Sequence, residues 1–364
     1  MLIDLIAGAR PNFVKLAPVV EAIQNHQNKG KDIHYRIIHT GQHYDYEMSQ
    51  SFFEQLGIPA PNVHLNSKSG SHAVQTGSIM VEYEKILSDR KPDLCMVFGD
   101  VNSTLACAIT AKKMHVDVAH VEAGIRSGDR EMPEEINRIV TDSICDYFFT
   151  TSQKANELLK KTGIPDEKIF FVGNTMIDTL LKQKSRFKKP STDVLEDDIL
   201  EKNYIVLTLH RPKNVDQEHQ LKIFLEEILK CSQDLPIIFP AHPRTKKILE
   251  KLNISDQRLT LTKPLGYLEF NYLVSNSFAV ITDSGGITEE TTVMGIPCMT
   301  LRDSTERPET VEIGTNKLLG TDPANIKPAF DKLFAGEWKK GSIPERWDGK
   351  AAERIVQTLL QQDE

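Results

Sequence analysis

The sequence has few cysteines, no long apolar run and no excess of positive charge, and each lack excludes a class of protein. Its five cysteines never occur as Cys-x-x-Cys, so we expect buried free thiols in a reducing compartment. Nowhere do about 18 uncharged apolar residues run together, and no basic segment precedes the apolar amino terminus. This pattern predicts a soluble, cytoplasmic protein with no membrane partner. The formal net charge of -7 argues against a nucleic-acid partner, because binding a polyphosphate requires a concentrated positive field.

What the chain does contain is a regular alternation of apolar runs and helical segments. With 364 residues, 40% of them hydrophobic, it is long enough for two domains with ample cores. Short β-branched runs alternate with amphipathic segments, which predicts parallel sheets covered by helices on both faces. The runs predicted as strands are residues 2–7, 35–39, 94–98, 118–121, 147–150, 169–172, 204–209, 237–240, 259–262, 279–282 and 298–301.

A polar stretch, residues 188–203, separates two similar halves of this alternation. We assign residues 1–172 to an N-terminal and residues 173–350 to a C-terminal Rossmann-like domain, followed by a terminal helix in residues 351–364. Both are expected to be α/β domains with doubly wound parallel sheets. Ligands of such sheets bind outside the carboxyl ends of the strands. The functional residues are therefore expected at strand ends, in a cleft between the two domains.

Two adjacent glycines, Gly285 and Gly286, stand where the strand 279–282 gives way to a helix. Without Cβ atoms the backbone can approach an anion closely, and the helix start points unpaired N–H groups at it. The turn predicts a phosphate site, although a tight structural turn explains such glycines about as often. Glu289 and Glu290, one helical turn further on, are placed to take a pair of ribose hydroxyls.

Charged residues also follow the strands of the N-terminal domain. Arg10 and Lys15 stand near the start of the first helix and indicate a second anion site. Asp100 follows the third strand, Glu122 the fourth, and Glu134 opens the next helix. Each could be a helix cap or a surface charge on its own, but their joint occurrence at strand ends favours a functional site.

The helix that begins at Pro133 has a regular charge pattern. Glu134, Arg138 and Asp142 fall at successive i+4 positions on one face, which taken alone is usually a surface ladder of ion pairs. The opposite side, predicted to face the core, consists of Ile136, Ile139, Val140 and Ile144.

In the C-terminal domain, two strands end in segments that contain histidine. His210 follows the strand 204–209, where it could protonate or hydrogen-bond a departing phosphate oxygen. His242 follows the strand 237–240 in the same way. The histidines show no metal-ligand grouping, and there is no Asp-x-Asp pair of the kind that holds Mg²⁺. The sequence therefore implies no metal and no cofactor.

Eight segments match, in order, the motifs of one known family. They are Gly8–Pro18, Thr40–His43, Gly99–Ala106, His120–Ser127, Pro133–Arg138, Thr208–Arg211, Asp283–Glu290 and Arg302–Glu309. Over nearly its whole length the chain resembles the non-hydrolysing UDP-N-acetylglucosamine 2-epimerases, which look like two-domain glycosyltransferases of the B type. The number and order of the motifs argue against a chance resemblance.

The resemblance implies a reaction and a set of site residues. The reaction is reversible epimerisation of UDP-N-acetylglucosamine to UDP-N-acetylmannosamine, by elimination and re-addition of UDP through 2-acetamidoglucal, for surface polysaccharide synthesis. The implied catalytic residues are the acid/base carboxylates Asp100, Glu122 and Glu134, with His210 assisting the leaving group. The residues implied in binding the sugar and diphosphate are Arg10, Lys15, Arg138, His242, Ser284, Gly285, Gly286 and Arg307, with Glu290 on the ribose. The family also suggests a homodimer, and a C-terminal helix that packs on the N-terminal domain.

Four alternatives stay open from the sequence. A UDP-2,3-diacetamido uronic acid substrate would add a carboxylate that Arg126 or Arg130 could pair. A UDP-sugar glycosyltransferase would share the fold and the UDP-binding site, but it needs one catalytic base rather than three carboxylates. A hydrolysing epimerase would release free N-acetylmannosamine, and a non-catalytic UDP-sugar sensor would bind without exchanging the C2 proton.

Overall fold

The chain forms two compact units, each built on one parallel sheet. The computed structural model describes residues 1–41, 52–67, 70–192, 194–195, 201–215, 217–241, 243–252, 254 and 256–362. Unit 1 comprises Met1–Lys182 with Glu345–Glu364, and unit 2 comprises Gln183–Pro344. Both units alternate strands and helices in the doubly wound manner. The predicted fold class, two Rossmann-like α/β domains, is confirmed.

Unit 1 contains a seven-stranded sheet in the order β3-β2-β1-β4-β5-β6-β7, with every described pair parallel. The strands are β1 (Leu2–Ala7), β2 (His34–His39), β3 (Val63–His64), β4 (Leu94–Phe98), β5 (Asp117–Ala123), β6 (Tyr147–Thr150) and β7 (Ile169–Phe171). The first helices of the chain are α1 (Arg10–Asn28), α2 (His72–Asp89), α3 (Asn102–Lys113), α4 (Pro133–Asp142), α5 (Gln153–Lys161) and α6 (Thr175–Gln183). Residues 52–56 are also helical, and Asp166–Lys168 form a 3-10 turn.

Unit 2 contains a six-stranded parallel sheet in the order β10-β9-β8-β11-β12-β13. The strands are β8 (Ile205–Thr208), β9 (Ile237–Pro240), β10 (Leu259–Thr262), β11 (Ala279–Thr282), β12 (Cys298–Thr300) and β13 (Asn316–Leu318). The helices are α7 (Pro212–Val215), α8 (Glu218–Cys231), α9 (Pro243–Lys251), α10 (Tyr267–Asn276), α11 (Gly285–Met294), α12 (Pro308–Glu312) and α13 (Ile326–Phe334). Lys184–Arg186 and Pro323–Asn325 form 3-10 turns.

All eleven predicted strands are present, with ends that differ by no more than two residues. Strands such as β4 are buried along their whole length, because helices cover both faces of the sheet. The apolar-run criterion misses β3 and β13, which are short, contain polar residues and lie at sheet edges. Within the described ranges, no helix combines the length and the apolar content that a bilayer crossing requires.

Helix α4 buries the side that was predicted to be polar, whereas Ile139 and Val140 of the predicted core side are half-buried and Ile144, just after the helix, packs against the core. Its buried residues are Glu135, Asn137, Arg138, Thr141 and Asp142. Ile136, which was expected in the core, is 44% exposed. For Ile136 the prediction was wrong, because it assumed that the polar side of the helix meets solvent. In α4 the polar side chains are buried because they bond to the ends of the neighbouring strands.

The last helix, α14 (Ala351–Gln362), belongs to unit 1 and packs against α1. The Asp178 carboxylate accepts hydrogen bonds from the first backbone N–H groups of α14, at 3.1 Å from Ala351 and 2.7 Å from Ala352. The buried Trp347 donates its indole N–H to the carbonyl of Thr151. These contacts attach the carboxyl-terminal segment to the N-terminal part of unit 1.

Asp178 is expected to stabilise unit 1 as a capping residue for α14. Asp178→Ala should lower the free energy of unfolding by about 1–2 kcal/mol, because two N–H groups at the helix start lose their acceptor. Hydrogen exchange of the α14 amides, with urea unfolding, measures the effect. Asp331→Ala, which removes an exposed carboxylate of unit 2, is the control and should cost less than about 0.5 kcal/mol. Unchanged exchange in α14 would contradict the capping role.

Candidate functional site

In unit 1, the turn after β1 is tied to the end of β4. The Asn12 side chain accepts from the backbone N–H of Gly8 (3.3 Å) and of Ala9 (2.9 Å). Its amide nitrogen donates to the carbonyl of Phe98 at 2.8 Å. These bonds fix the first turn of α1, from which Lys15 reaches the ends of β4 and β5.

Glu122 is aimed by an irregularity in β5. The pairing of β5 with β6 shifts register between Val121 and Ala123, so Glu122 is the extra residue of a β-bulge, with φ at +77°. A bulge re-aims a side chain, and a non-glycine residue keeps a left-handed backbone only where its surroundings hold it. In this position Glu122 Oε2 forms a buried ion pair with Lys15 Nζ.

The turn at Gly99 brings Asp100 beside this ion pair. Gly99 has φ at +62°, and a Cβ atom there would lie 2.7 Å from Lys15 Nζ and 3.2 Å from Glu122 Oε2. Only glycine fits this position without displacing the pair. The predicted residues Lys15 and Glu122 therefore meet at the carboxyl ends of β4 and β5, and Asp100 directly follows the glycine that lies against them.

Arg138 holds Asp100 from the other side. Its Nε and Nη2 atoms both donate to Asp100 Oδ2, at 3.0 and 2.7 Å, and Nη1 donates to Glu135 Oε2 at 2.6 Å. The guanidinium is almost completely buried. A planar guanidinium suits this geometry because its N–H groups point in fixed directions.

Glu135 is a site residue that the sequence analysis missed. Its carboxylate accepts from the backbone N–H groups of Ser127 and Gly128, both at 3.0 Å, as well as from Arg138. Burial alone would raise the pKa of Glu135, but these hydrogen bonds and the Arg138 charge hold it below its ordinary value. Glu134, the residue that was predicted, is half-buried in the same first turn of α4.

Arg10 is the first residue of α1. Its guanidinium lies 5.5 Å from the centroid of the Phe52 ring, a cation–π distance. It therefore stands at the same helix start as Lys15, as the sequence predicted.

In unit 2, a buried carboxylate orients His210. Asp283 lies at the tip of β11 and accepts from His210 Nδ1 at 2.8 Å, from the backbone N–H of Arg211 at 2.9 Å and from Asn214 Nδ2 at 3.0 Å. Burial opposes the charge on Asp283, but the hydrogen bonds and the His210 ring keep its pKa below the ordinary value. Because Nδ1 donates to Asp283, Nε2 is left for another partner. The His210 side chain is 57% exposed.

The Gly-Gly turn opens α11, with Ser284 as its N-cap residue. The Ser284 side chain makes no capping bond, so the N–H groups of the first turn are not satisfied by it. Gly285 has a second reason to lack a side chain, since a Cβ there would lie 2.5 Å from Glu306 Oε1. The turn is thus shaped by the segment that follows β12 as well as by its own backbone.

Arg307 lies in a buried group of charges beside this turn. Its Nε is 2.7 Å from Glu289 Oε1, and its Nη1 is 3.0 Å from Glu306 Oε1. Arg302 pairs with the other Glu306 oxygen at 2.7 Å. Arg307 therefore supports the start of α11 through carboxylates.

Glu290 is buried in α11 against α10. Burial raises its pKa to about 7, although hydrogen bonds from Tyr267 and Asn271 act in the opposite direction. A carboxyl group with such a pKa changes charge near neutral pH. His242 lies outside the described residues, and within the described part of the chain no cluster of three or more His, Cys, Asp or Glu side chains could hold a metal ion.

One protein family matches most of the chain. The family described as UDP-N-acetylglucosamine 2-epimerase matches residues 25–360. The chain belongs to this family. It is therefore an enzyme of the UDP-N-acetylglucosamine 2-epimerase family, with the two Rossmann-like domains of the glycosyltransferase B type.

Relatives in this epimerase family include proteins of two substrate types. The UDP-N-acetylglucosamine 2-epimerase of Methanocaldococcus jannaschii is 42% identical, with 99% of each chain covered. Its crystal structure in complex with UDP-GlcNAc and UDP superposes with a TM-score of 0.90, covering 99% of this chain and 100% of that one. The UDP-2,3-diacetamido-2,3-dideoxy-D-glucuronate 2-epimerase of Pseudomonas aeruginosa is 41% identical, with 88% of each chain covered.

The raised pKa of Glu290 predicts a pH-dependent stability for this epimerase-family chain. Because the folded-state pKa is about 7 against an ordinary 4.5, the carboxyl group favours folding below pH 4.5, and this contribution is lost as the pH rises through 7. Relative to Glu290→Gln, the wild type should lose about 2–3 kcal/mol between pH 5 and pH 8.

Urea unfolding of both proteins at the two pH values measures this difference. Glu226→Gln, which changes an exposed carboxylate of α8, is the matched control and should leave the pH dependence unaltered. If the free energies of unfolding of the wild type and Glu290→Gln change in parallel with pH, the Glu290 carboxyl group does not titrate near pH 7.

Proposed function

We propose that the protein interconverts UDP-N-acetylglucosamine and UDP-N-acetylmannosamine by eliminating and re-adding UDP. The C2 proton of the sugar is not adjacent to a carbonyl, so direct removal by a carboxylate would be very slow. Breaking the bond between C1 and the UDP oxygen first leaves an oxocarbenium-like centre that acidifies this proton. Loss of the proton gives 2-acetamidoglucal and UDP, and its return to the opposite face, with re-addition of UDP at C1, gives the manno epimer.

In this proposal, unit 1 acts on the sugar. Glu122, Asp100 and Glu134 supply the carboxylates that stabilise the cationic ring and move the C2 proton. Lys15 holds Glu122, and Arg138 holds Asp100. The observation that carries the proposal is the bulge that aims the buried Glu122 at Lys15, beside the Asp100 turn. A carboxylate held in this way has one fixed direction in which it can take or return a proton.

The leaving group is assigned to unit 2. His210, fixed by Asp283, offers Nε2 to a departing phosphate oxygen, and the N–H groups at the start of α11 stabilise the diphosphate charge. In this proposal the Glu290 carboxylate accepts hydrogen bonds from the ribose hydroxyls. The other groups proposed to bind the substrate are Arg10 on the diphosphate, Ser284, Gly285 and Gly286 at the α11 start, Arg307 through its support of that turn, and His242.

Proton NMR of UDP-N-acetylglucosamine with the protein in heavy water tests the reaction. We expect UDP-N-acetylmannosamine to form, with deuterium at C2 of both epimers. Free N-acetylmannosamine would indicate a hydrolysing enzyme, sugar transfer to an acceptor a glycosyltransferase, and tight binding without exchange a sensor. Any of these three outcomes contradicts the proposal.

Glu122→Gln should lower the rate of C2 exchange by about 100- to 10,000-fold, because the amide cannot accept the proton. The dissociation constant of UDP should change less than about threefold, since Glu122 is assigned to the sugar. Isothermal titration with UDP and deuterium incorporation measure the two quantities. Glu82→Gln, a change on the surface of α2, should leave both unaltered, and full exchange in Glu122→Gln would remove Glu122 from the mechanism.

A UDP-2,3-diacetamido uronic acid is the second candidate substrate, since the Pseudomonas aeruginosa relative is named for one. Of the arginines considered for its carboxylate, Arg126 is bound to Asp142 at 2.6 Å, whereas Arg130 is exposed. The Arg126 contact favours the simpler sugar. A larger kcat/KM for the uronic acid than for UDP-N-acetylglucosamine would reverse this choice.

We propose that the protein is a homodimer. We also propose that the product of its reaction supplies surface polysaccharide synthesis. Unit 1 exposes Val74 and Val81 on one face of α2 and Ile136 on α4, with exposed fractions between 44% and 53%. α2 packs on α3, and α3 on α4, so the three side chains belong to one helical layer. A second copy of the chain would remove these apolar groups from water.

Val81→Lys should weaken this dimer, because a charge would have to be buried at the interface. Light scattering after size-exclusion chromatography should show the wild type at twice the chain mass and the variant shifted towards one chain mass. Ile343→Lys makes the same change at an exposed apolar residue of unit 2 and should leave the mass unaltered. A wild type of single chain mass would contradict the homodimer.

A further inference from the structure

His120 is completely buried in β5, two residues before Glu122. Its Nδ1 lies 2.7 Å from Asp142 Oδ1, and its Nε2 lies 2.8 Å from the carbonyl oxygen of Gly99. A carboxylate and a carbonyl can only accept hydrogen bonds. With Asp142 in its carboxylate form, both ring nitrogens are therefore placed as donors, which is the arrangement of a buried imidazolium.

Asp142, at the end of α4, binds three hydrogen-bond donors. Besides His120, its carboxylate accepts from the backbone N–H of Gly124 at 3.1 Å and pairs with Arg126 at 2.6 Å. Burial opposes its charge, but the His120 and Arg126 cations hold its pKa below the ordinary value. His120 and Gly124 lie two residues before and two residues after Glu122, so Asp142 fixes the chain on both sides of the bulge.

The second nitrogen of His120 fixes the neighbouring turn. The carbonyl of Gly99 accepts a hydrogen bond from this ring, and the backbone N–H of Gly99 donates to the carbonyl of Val121 at 3.0 Å. The same glycine lies against Lys15 and Glu122 and precedes Asp100. One imidazolium therefore connects the strand that carries Glu122, the turn that carries Asp100 and the helix that carries Arg138.

We infer that His120 and Asp142 are positioning residues for the proposed epimerisation, which hold the Glu122 bulge and the Asp100 turn in the reactive arrangement. They do not touch the sugar in this inference, which rests on the proposed function. Displacing a reacting group by about 1 Å costs on the order of 100-fold in rate. The pair should therefore affect turnover much more than nucleotide binding.

Two substitutions at His120 test the two hydrogen bonds of its ring one at a time. In His120→Gln the amide nitrogen lies near the former Nε2 and can still donate to Gly99, whereas in His120→Asn it lies near the former Nδ1 and can still donate to Asp142. Both variants remove the same charge from the same buried position. A purely structural role would make them equally active after correction for stability.

We expect His120→Asn to lower kcat for C2 epimerisation by about 10- to 100-fold, because the Gly99 turn is released. His120→Gln should keep at least several times more activity than His120→Asn. KM and the dissociation constant of UDP should change less than about threefold in both. His26→Gln, which replaces another buried histidine of unit 1 that pairs with Glu353, is the control and should keep full activity.

Nitrogen-15 NMR of the histidine rings provides a readout besides activity. In the wild type both ring nitrogens of His120 should carry slowly exchanging protons, and His120→Gln identifies the signals. A singly protonated ring, equal kcat losses in both variants, or unchanged kcat in His120→Asn would each overturn the inference while the wild type still epimerises. A wild type without C2 exchange would instead overturn the proposed function and the inference together.

Discussion

The buried ion pair between Lys15 and Glu122 is the contact on which the rest of unit 1 depends. It joins the first helix of the chain to the fifth strand, and it requires a bulge at Glu122, a glycine at 99 and a turn fixed by Asn12. Burying such a pair adds little stability, because desolvation offsets most of the attraction, yet removing one partner leaves an uncompensated charge. The arrangement is therefore better explained by the chemistry of the carboxylate than by the stability of the fold.

Both units hold a histidine with a buried carboxylate, but they use the ring differently. Asp283 binds Nδ1 of His210, whose other nitrogen is left on an exposed side chain at the end of β8. Asp142 binds Nδ1 of His120, whose other nitrogen is used by the backbone inside the fold. The same pair of residue types thus gives a group that can meet a ligand in unit 2 and an internal support in unit 1. Burial and the partner of Nε2 decide between the two roles.

The strands could be predicted from the sequence because apolar runs of four to seven residues depend on local composition alone. The burial of α4 could not, because its polar face bonds to Asp100, to the 127–128 turn and to His120, contacts that are remote in sequence. Glu135 was missed for the same reason, since nothing local distinguishes it from Glu134. Asp283 stood inside a recognised motif, and its place at a strand tip was a signal that could have identified it. Lys15, Asp100 and Glu122 could be expected near one another because parallel strands bring their carboxyl ends to one edge, whereas Arg138, inside a helix, was indicated by the family resemblance.

The return of α14 to unit 1 has a consequence for how the protein is made. Unit 2 is one uninterrupted stretch of chain, whereas unit 1 is incomplete until its final twenty or so residues leave the ribosome. Until then the first helix lacks its packing partner, and Asp178 and the carbonyl of Thr151 lack the groups that they bind. The domain that begins the chain is thus the last to be finished, and a nascent chain must keep an open apolar surface on α1 while the whole of unit 2 is synthesised.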